Sequence, residues 1–152
     1  MSKFRSNTRE FRTSIGKPCH SKPTIPSDAD VRLAVELVLE EALELAEACF
    51  AGKEELRSTL AHLQSFCRTA EVRVRLPSVA DALADIKYVT FGAEHAFGIN
   101  GDLIWDIVHS NNMLKVSGPD DPVTGKRQKP AGFVGPGGEI RQSLIVQGWE
   151  EK

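Results

Sequence analysis

Apolar residues recur at three- and four-residue spacing through most of the chain up to about position 115, and nowhere do they alternate at period two for long enough to build a sheet. Phe4, Phe11 and Ile15 fall roughly on one side of a short amphipathic helix over 4–16, which Gly16 and Pro18 end. Pro18, Pro23 and Pro26 make 17–27 an extended connector. Ser27 or Asp28 then caps a long helix through Phe50, closed by Gly52. A third helix over about 54–70 carries Leu56, Leu60, Leu63, Phe66 and Cys67 on its apolar side. Val72-Arg73-Val74-Arg75 is ambiguous, and Pro77 ends it. Ser78 is placed to cap a helix from Val79 to Phe97, ended by Gly98, and Asn100 to cap another through Leu114 or Lys115. Beyond Ser117-Gly118-Pro119 the periodicity gives way to proline and glycine, with a short strand or turn around Leu144–Val146. The expected fold class is therefore all-α. A four- to five-helix bundle occupies 1–117, and a Pro/Gly-rich arm over 118–152 packs on the same domain or on a partner subunit.

The polar positions are as patterned as the apolar ones. With Glu40 at the origin of a helical wheel, Glu44 falls at roughly 40°, Glu47 at about −20°, Glu36 at about −40° and Glu41 at about 100°. Val38, Leu39, Ala42, Leu43, Leu45, Ala46, Cys49 and Phe50 fill most of the remaining surface, which predicts a helix packed on several sides with its acidic stripe lining a cleft. Asp81, Asp85, Tyr88, Gly92 and His95 form a comparable stripe on the later helix. Like charges one turn apart repel by roughly 0.2–0.5 kcal/mol per pair, and by more when partly desolvated. Two such clusters in the most apolar helices, with few basic neighbours in sequence, point to a bound cation. Oxygen ligands without a Cys/His cluster favour Mg²⁺, or Mn²⁺ as its substitute, over zinc.

Composition narrows the class. The apolar share of 41% and charged share of 26% are those of an ordinary globular domain, and a net charge of −2 argues against general nucleic-acid binding. No run approaches the ~20 apolar residues of a membrane span, and the polar N-terminus lacks a signal-peptide core. Three cysteines without metal-like spacing fit a reducing, cytoplasmic compartment, with Cys49 and Cys67 as core fillers. Gly135-Pro136-Gly137-Gly138 lacks the Gly-Lys-Ser/Thr ending of a P-loop and reads as a flexible turn. His95 shares the Asp81/Asp85 stripe but lies about 15 Å along the helix from Asp85 at ~1.5 Å per residue, so packing or an interface suits it better than catalysis.

At these residues the chain resembles a known superfamily. Glu40-Glu41-Ala42-Leu43-Glu44, the stretch Ala82-Leu83-Ala84-Asp85-Ile86-Lys87-Tyr88, then His109-Ser110-Asn111-Asn112-Met113-Leu114-Lys115 and Gly125-Lys126-Arg127-Gln128-Lys129-Pro130 follow one another in the order and spacing of the all-α nucleoside triphosphate pyrophosphohydrolases. That superfamily includes MazG proteins, phosphoribosyl-ATP pyrophosphohydrolases and dimeric dUTPases. The resemblance covers roughly 28–133. It implies a helical bundle that forms homodimers or homotetramers and cleaves a nucleoside triphosphate between its α- and β-phosphates with Mg²⁺. Carried over by position, Glu40, Glu41, Glu44 and Asp85 would ligate the metal, and one of the glutamates would orient or deprotonate the attacking water. Asn112 and Lys115 would contact the nucleotide, with Lys126 and Lys129 closing over the same site and Tyr88 a further candidate. The chain departs from the superfamily at Ala82, where a glutamate is common; Asp81, one residue earlier, is the candidate replacement. The implied activity is (d)NTP pyrophosphohydrolysis, dUTP included. The alternatives are phosphoribosyl-ATP hydrolysis or a non-catalytic helical dimer that binds nucleotide or partner protein.

Overall fold

The computed structural model describes residues 2–151, and the chain is all-α as its periodicity predicts. Among the described residues six helices follow in order: α1 (Lys3–Ser14), α2 (Asp28–Cys49), α3 (Lys53–Thr69), α4 (Leu76–Phe97), α5 (Gly101–Leu114) and α6 (Gly137–Val146), with a 3₁₀ turn (Lys115–Ser117) between the last two. They belong to two compact units. One holds Thr24–Arg75 with Pro122–Lys126; the other holds Met1–Pro23, Leu76–Asp121 and Arg127–Lys152.

The first unit is the α2–α3 hairpin. Ser27 caps α2 as expected, its Oγ accepting from the Asp30 amide at 3.2 Å. Three cationic side chains of the two helices lace them together: Arg32 donates to the Cys67 carbonyl, Arg68 pairs with Glu36 at 3.3 Å and Arg57 pairs with Glu47 at 3.3 Å. Glu36, only 7% exposed, is buried on α2 while Val35, Leu45 and Phe50 are exposed. The expectation that α2 packs on several sides is thus corrected: in its own unit α3 covers one side. Cys49 is exposed rather than a core filler, because it lies on the uncovered side.

In the second unit α1 packs on α5. Phe4 meets Trp105 edge to face at 4.9 Å between ring centroids, and Lys3 bonds Asp106 at 2.6 Å. The α4 helix starts at Leu76, three residues before the expected Val79, because a proline in a helix's first turn sacrifices no hydrogen bond and Pro77 fits there. Its C terminus closes at Gly98, where the Gly98 amide donates to the His95 carbonyl and the Ile99 amide to that of Glu94. The arm carries the largest correction. The second half of the turn expected at Gly135–Gly138 and the strand or turn expected around 144–146 belong to one helix, α6, with Pro136 at its N-cap position and Glu139 in its first turn, where a carboxylate favours the helix dipole. Arg127 anchors the arm's start by pairing with Asp120 at 3.2 Å and bonding the Gly118 and Ile15 carbonyls. No helix among the described residues is long and apolar enough to cross a membrane.

Candidate functional site

The acidic face of α2 is built by helix phase. Glu36, Glu40 and Glu44 stand one turn apart, with Glu47 at the far end. The partners that the local sequence lacks arrive from elsewhere in the same unit. Arg68 takes Glu36, Arg57 takes Glu47, and Lys126, from the segment Pro122–Lys126, takes Glu40. The Lys126 ammonium donates to both oxygens of the Glu40 carboxylate, the first at 2.7 Å. Glu40 is half-buried, whereas Glu41 and Glu44 are exposed. Lys126, expected on the phosphates, is therefore found on a metal-ligand candidate.

The other unit holds the remaining candidates in two places. On α4 every residue from Pro77 to Gly92 is exposed, Asp81 and Asp85 included, and Tyr88 keeps 82% of its surface open. The same stretch exposes Val79, Leu83, Ile86, Val89 and Phe91. At the C-terminal end of α5 the amide and cationic candidates come together. Lys115 donates to the Asn112 Oδ1 at 2.7 Å. The Lys115 and Lys129 ammonium groups each lie 5.6 Å from the centroid of the Phe133 ring, within cation–π range. The neighbouring Asn111 donates to the Val134 carbonyl at 2.8 Å, which ties the arm to α5. Asn112, Lys115 and Lys129 thus gather around Phe133 and the end of α5, and Lys126 belongs to the other unit. His109 faces Glu10 at 3.4 Å, in a packing position against α1.

Phe133, Arg57 and Arg68 are not among the site candidates drawn from the sequence, although Phe133 closes the stretch from Gly125 that carries the resemblance. The two arginines sit at unremarkable helical positions, and only the fold brings them to the acids. Phe133 follows the Lys126-Arg127-Gln128-Lys129 run, and an aromatic beside clustered cations was the available signal.

The stripe on α2 offers only carboxylates, as do Asp81 and Asp85 on α4, and carboxylate oxygens are the ligands of a hard divalent cation. The bidentate ammonium on Glu40 shows that this carboxylate accepts a cation in place. Among the described residues no three His, Cys, Asp or Glu side chains stand close enough together to hold an ion.

Residues 8–112 match the family model of phosphoribosyl-ATP pyrophosphohydrolase. The fold is similar to that of a crystal structure from Exiguobacterium sp. 255-15, described as a candidate NTP pyrophosphohydrolase, with a TM-score of 0.68 at 21% identity over 96% of each chain. At that identity the likeness concerns the fold. Compared with curated proteins, the chain has no match.

Proposed function

Because the chain belongs to the phosphoribosyl-ATP pyrophosphohydrolase family, and is a pyrophosphohydrolase on that ground, we propose a specific reaction for it: Mg²⁺-dependent hydrolysis of a (deoxy)nucleoside triphosphate, dUTP among the candidates, to the monophosphate and pyrophosphate. The observation that carries this reading is the carboxylate stripe of α2, in which Glu40 already engages a cation. We assign Glu40, Glu41 and Glu44 to the ion with Asp85, and give Asp81 the place of the glutamate replaced by Ala82. When bound, Mg²⁺ neutralises phosphate charge and acidifies water. The chain's own residues do the rest. Glu41 or Glu44 takes the proton of the attacking water as its oxygen bonds the α-phosphorus and the bond to the bridging oxygen breaks. Asn112, Lys115 and Lys129 hold the departing pyrophosphate, with Lys126 joining them once it leaves Glu40, and Tyr88 borders the nucleotide. Positioning and charge neutralisation suffice for such a transfer, and no covalent intermediate is needed.

The working unit is a homodimer or homotetramer in the cytoplasm. The described residues include no buried hydrophobic side chain, although a chain of this length ordinarily builds its own core. The apolar positions of α4, Val79, Leu83 and Ile86 foremost, supply a face for a second copy of this chain.

The matched family's own substrate, phosphoribosyl-ATP, is the second reading, favoured by the match over 8–112. A panel of NTPs, dNTPs and phosphoribosyl-ATP, assayed for pyrophosphate release with and without Mg²⁺, separates the two. Metal-dependent release from nucleoside triphosphates supports the first reading, and release from phosphoribosyl-ATP alone replaces it with the second.

A further inference from the structure

The arm presents Phe133 with unusual care for a half-buried phenyl ring. Pro130-Ala131-Gly132-Phe133 is a tight turn, closed by the Phe133 amide on the Pro130 carbonyl at 3.2 Å, with Gly132 at φ 76° where only glycine sits without strain. The next residue is pinned by Asn111, which donates to the Val134 carbonyl. Fixed on both sides, the ring has an ammonium group 5.6 Å from its centroid twice over, from Lys115 at the end of α5 and Lys129 on the arm. The two charges stand no farther apart than twice that distance, and Lys115 also reaches Asn112. Two lysines on long flexible stems would otherwise spread apart by mutual repulsion and lose side-chain entropy on being ordered by a ligand. The negative face of an aromatic ring attracts both.

We infer that Phe133 is a positioning residue, whose ring holds the Lys115 and Lys129 ammonium groups as a preformed clamp for a diphosphate. This rests on the proposed function for the identity of the anion, and it adds a residue that touches neither nucleotide nor metal. Ordering the two cations in advance removes part of the cost of binding, so the ring acts on the affinity for the phosphate chain.

The test is calorimetric titration of inorganic pyrophosphate in excess Mg²⁺ into the full-length protein and its variants. Phe133→Leu should bind pyrophosphate roughly three- to tenfold more weakly, the fold-change of one lost cation–π contact of ordinary strength. Phe133→Tyr, which keeps the ring, should restore wild-type affinity. In a Lys115→Met/Lys129→Met background, Phe133→Leu should have no further effect, whereas a residue that merely packs the arm would add its loss there too. Should Phe133→Leu loosen the fold, Phe133→Met supplies similar bulk without a ring. Unchanged affinity in the ring-less variants, an additive loss without the lysines, or no pyrophosphate binding by the wild type overturns the inference. Nucleotide turnover is read separately. Ring-dependent pyrophosphate binding without turnover would sink the proposed reaction and leave the clamp, and turnover with ring-independent binding would do the reverse.

Discussion

Replacing Arg68 should weaken the α2–α3 hairpin more than replacing its partner Glu36. The two charges stand 3.3 Å apart, but unequally: the Glu36 side chain is 9% exposed and that of Arg68 is 49% exposed. At an effective dielectric of ~20 the bare Coulomb attraction at that distance is about 5 kcal/mol, most of it offset by the desolvation of Glu36. In Arg68→Met the carboxylate stays buried without its cation, at a cost of about 2–3 kcal/mol. In Glu36→Gln the side chain becomes neutral and Arg68 is hydrated where it stands, so the loss is about 1 kcal/mol, near the value of a half-exposed pair. Urea unfolding followed by far-UV circular dichroism measures both, at one fixed protein concentration so that the proposed association contributes equally to each variant. The double variant should show about 1 kcal/mol of coupling. A Glu36→Gln variant as unstable as Arg68→Met, or additive single effects, would mean that the burial of Glu36 does not set the cost. The consequence reaches the site, because Glu36 lies one turn before Glu40 and fixes the rotation of α2 that sets where Glu40 and Glu44 project.

Other expectations follow from particular contacts. Glu41→Gln should abolish pyrophosphate release while leaving the far-UV signal intact, and unchanged turnover would remove that glutamate from the proposed metal and proton chemistry. Leu83→Glu on the exposed apolar face of α4 should shift the oligomer toward monomer in sedimentation velocity; an unchanged species would put the interface elsewhere. Gly118→Ala should destabilise the arm by about 1–3 kcal/mol, the range of core overpacking, because an added Cβ would fall 2.1 Å from the Gln128 carbonyl oxygen. Limited proteolysis should then cut near 118–130 faster than in the wild type, and an equal rate would contradict it.

Periodicity sufficed for α2, α3 and α5, where apolar spacing is regular and a cap or a glycine marks the ends. It failed in the arm because local propensity there opposes the outcome. Gly137-Gly138 at one end and Ile145-Val146 at the other disfavour a helix, yet α6 closes on itself with the same bond pattern that ends α4, Gly148 to Ile145 and Trp149 to Leu144. The acidic stripe was legible as a stripe, because phase is a local property. Its counter-ions were not: Arg68 is 32 residues from Glu36 and Lys126 is 86 from Glu40. Contacts at that separation depend on how helices pack, which one sequence does not state. The apolar richness of α2 predicts packing on several sides, and within its own unit α3 covers one. The same hydrophobicity that drives a core also drives association, and pattern alone does not separate the two.

Pyrophosphate release from NTPs, dNTPs and phosphoribosyl-ATP, with Mg²⁺ and with Mg²⁺ removed by chelation, decides whether the protein is a metal-dependent pyrophosphohydrolase acting on nucleoside triphosphates. Such an enzyme should release pyrophosphate from one or more nucleoside triphosphates, with the monophosphate as co-product, the activity lost on chelation and restored by Mg²⁺ or Mn²⁺. Release that persists without metal, or a folded protein silent toward every nucleoside triphosphate, would contradict it.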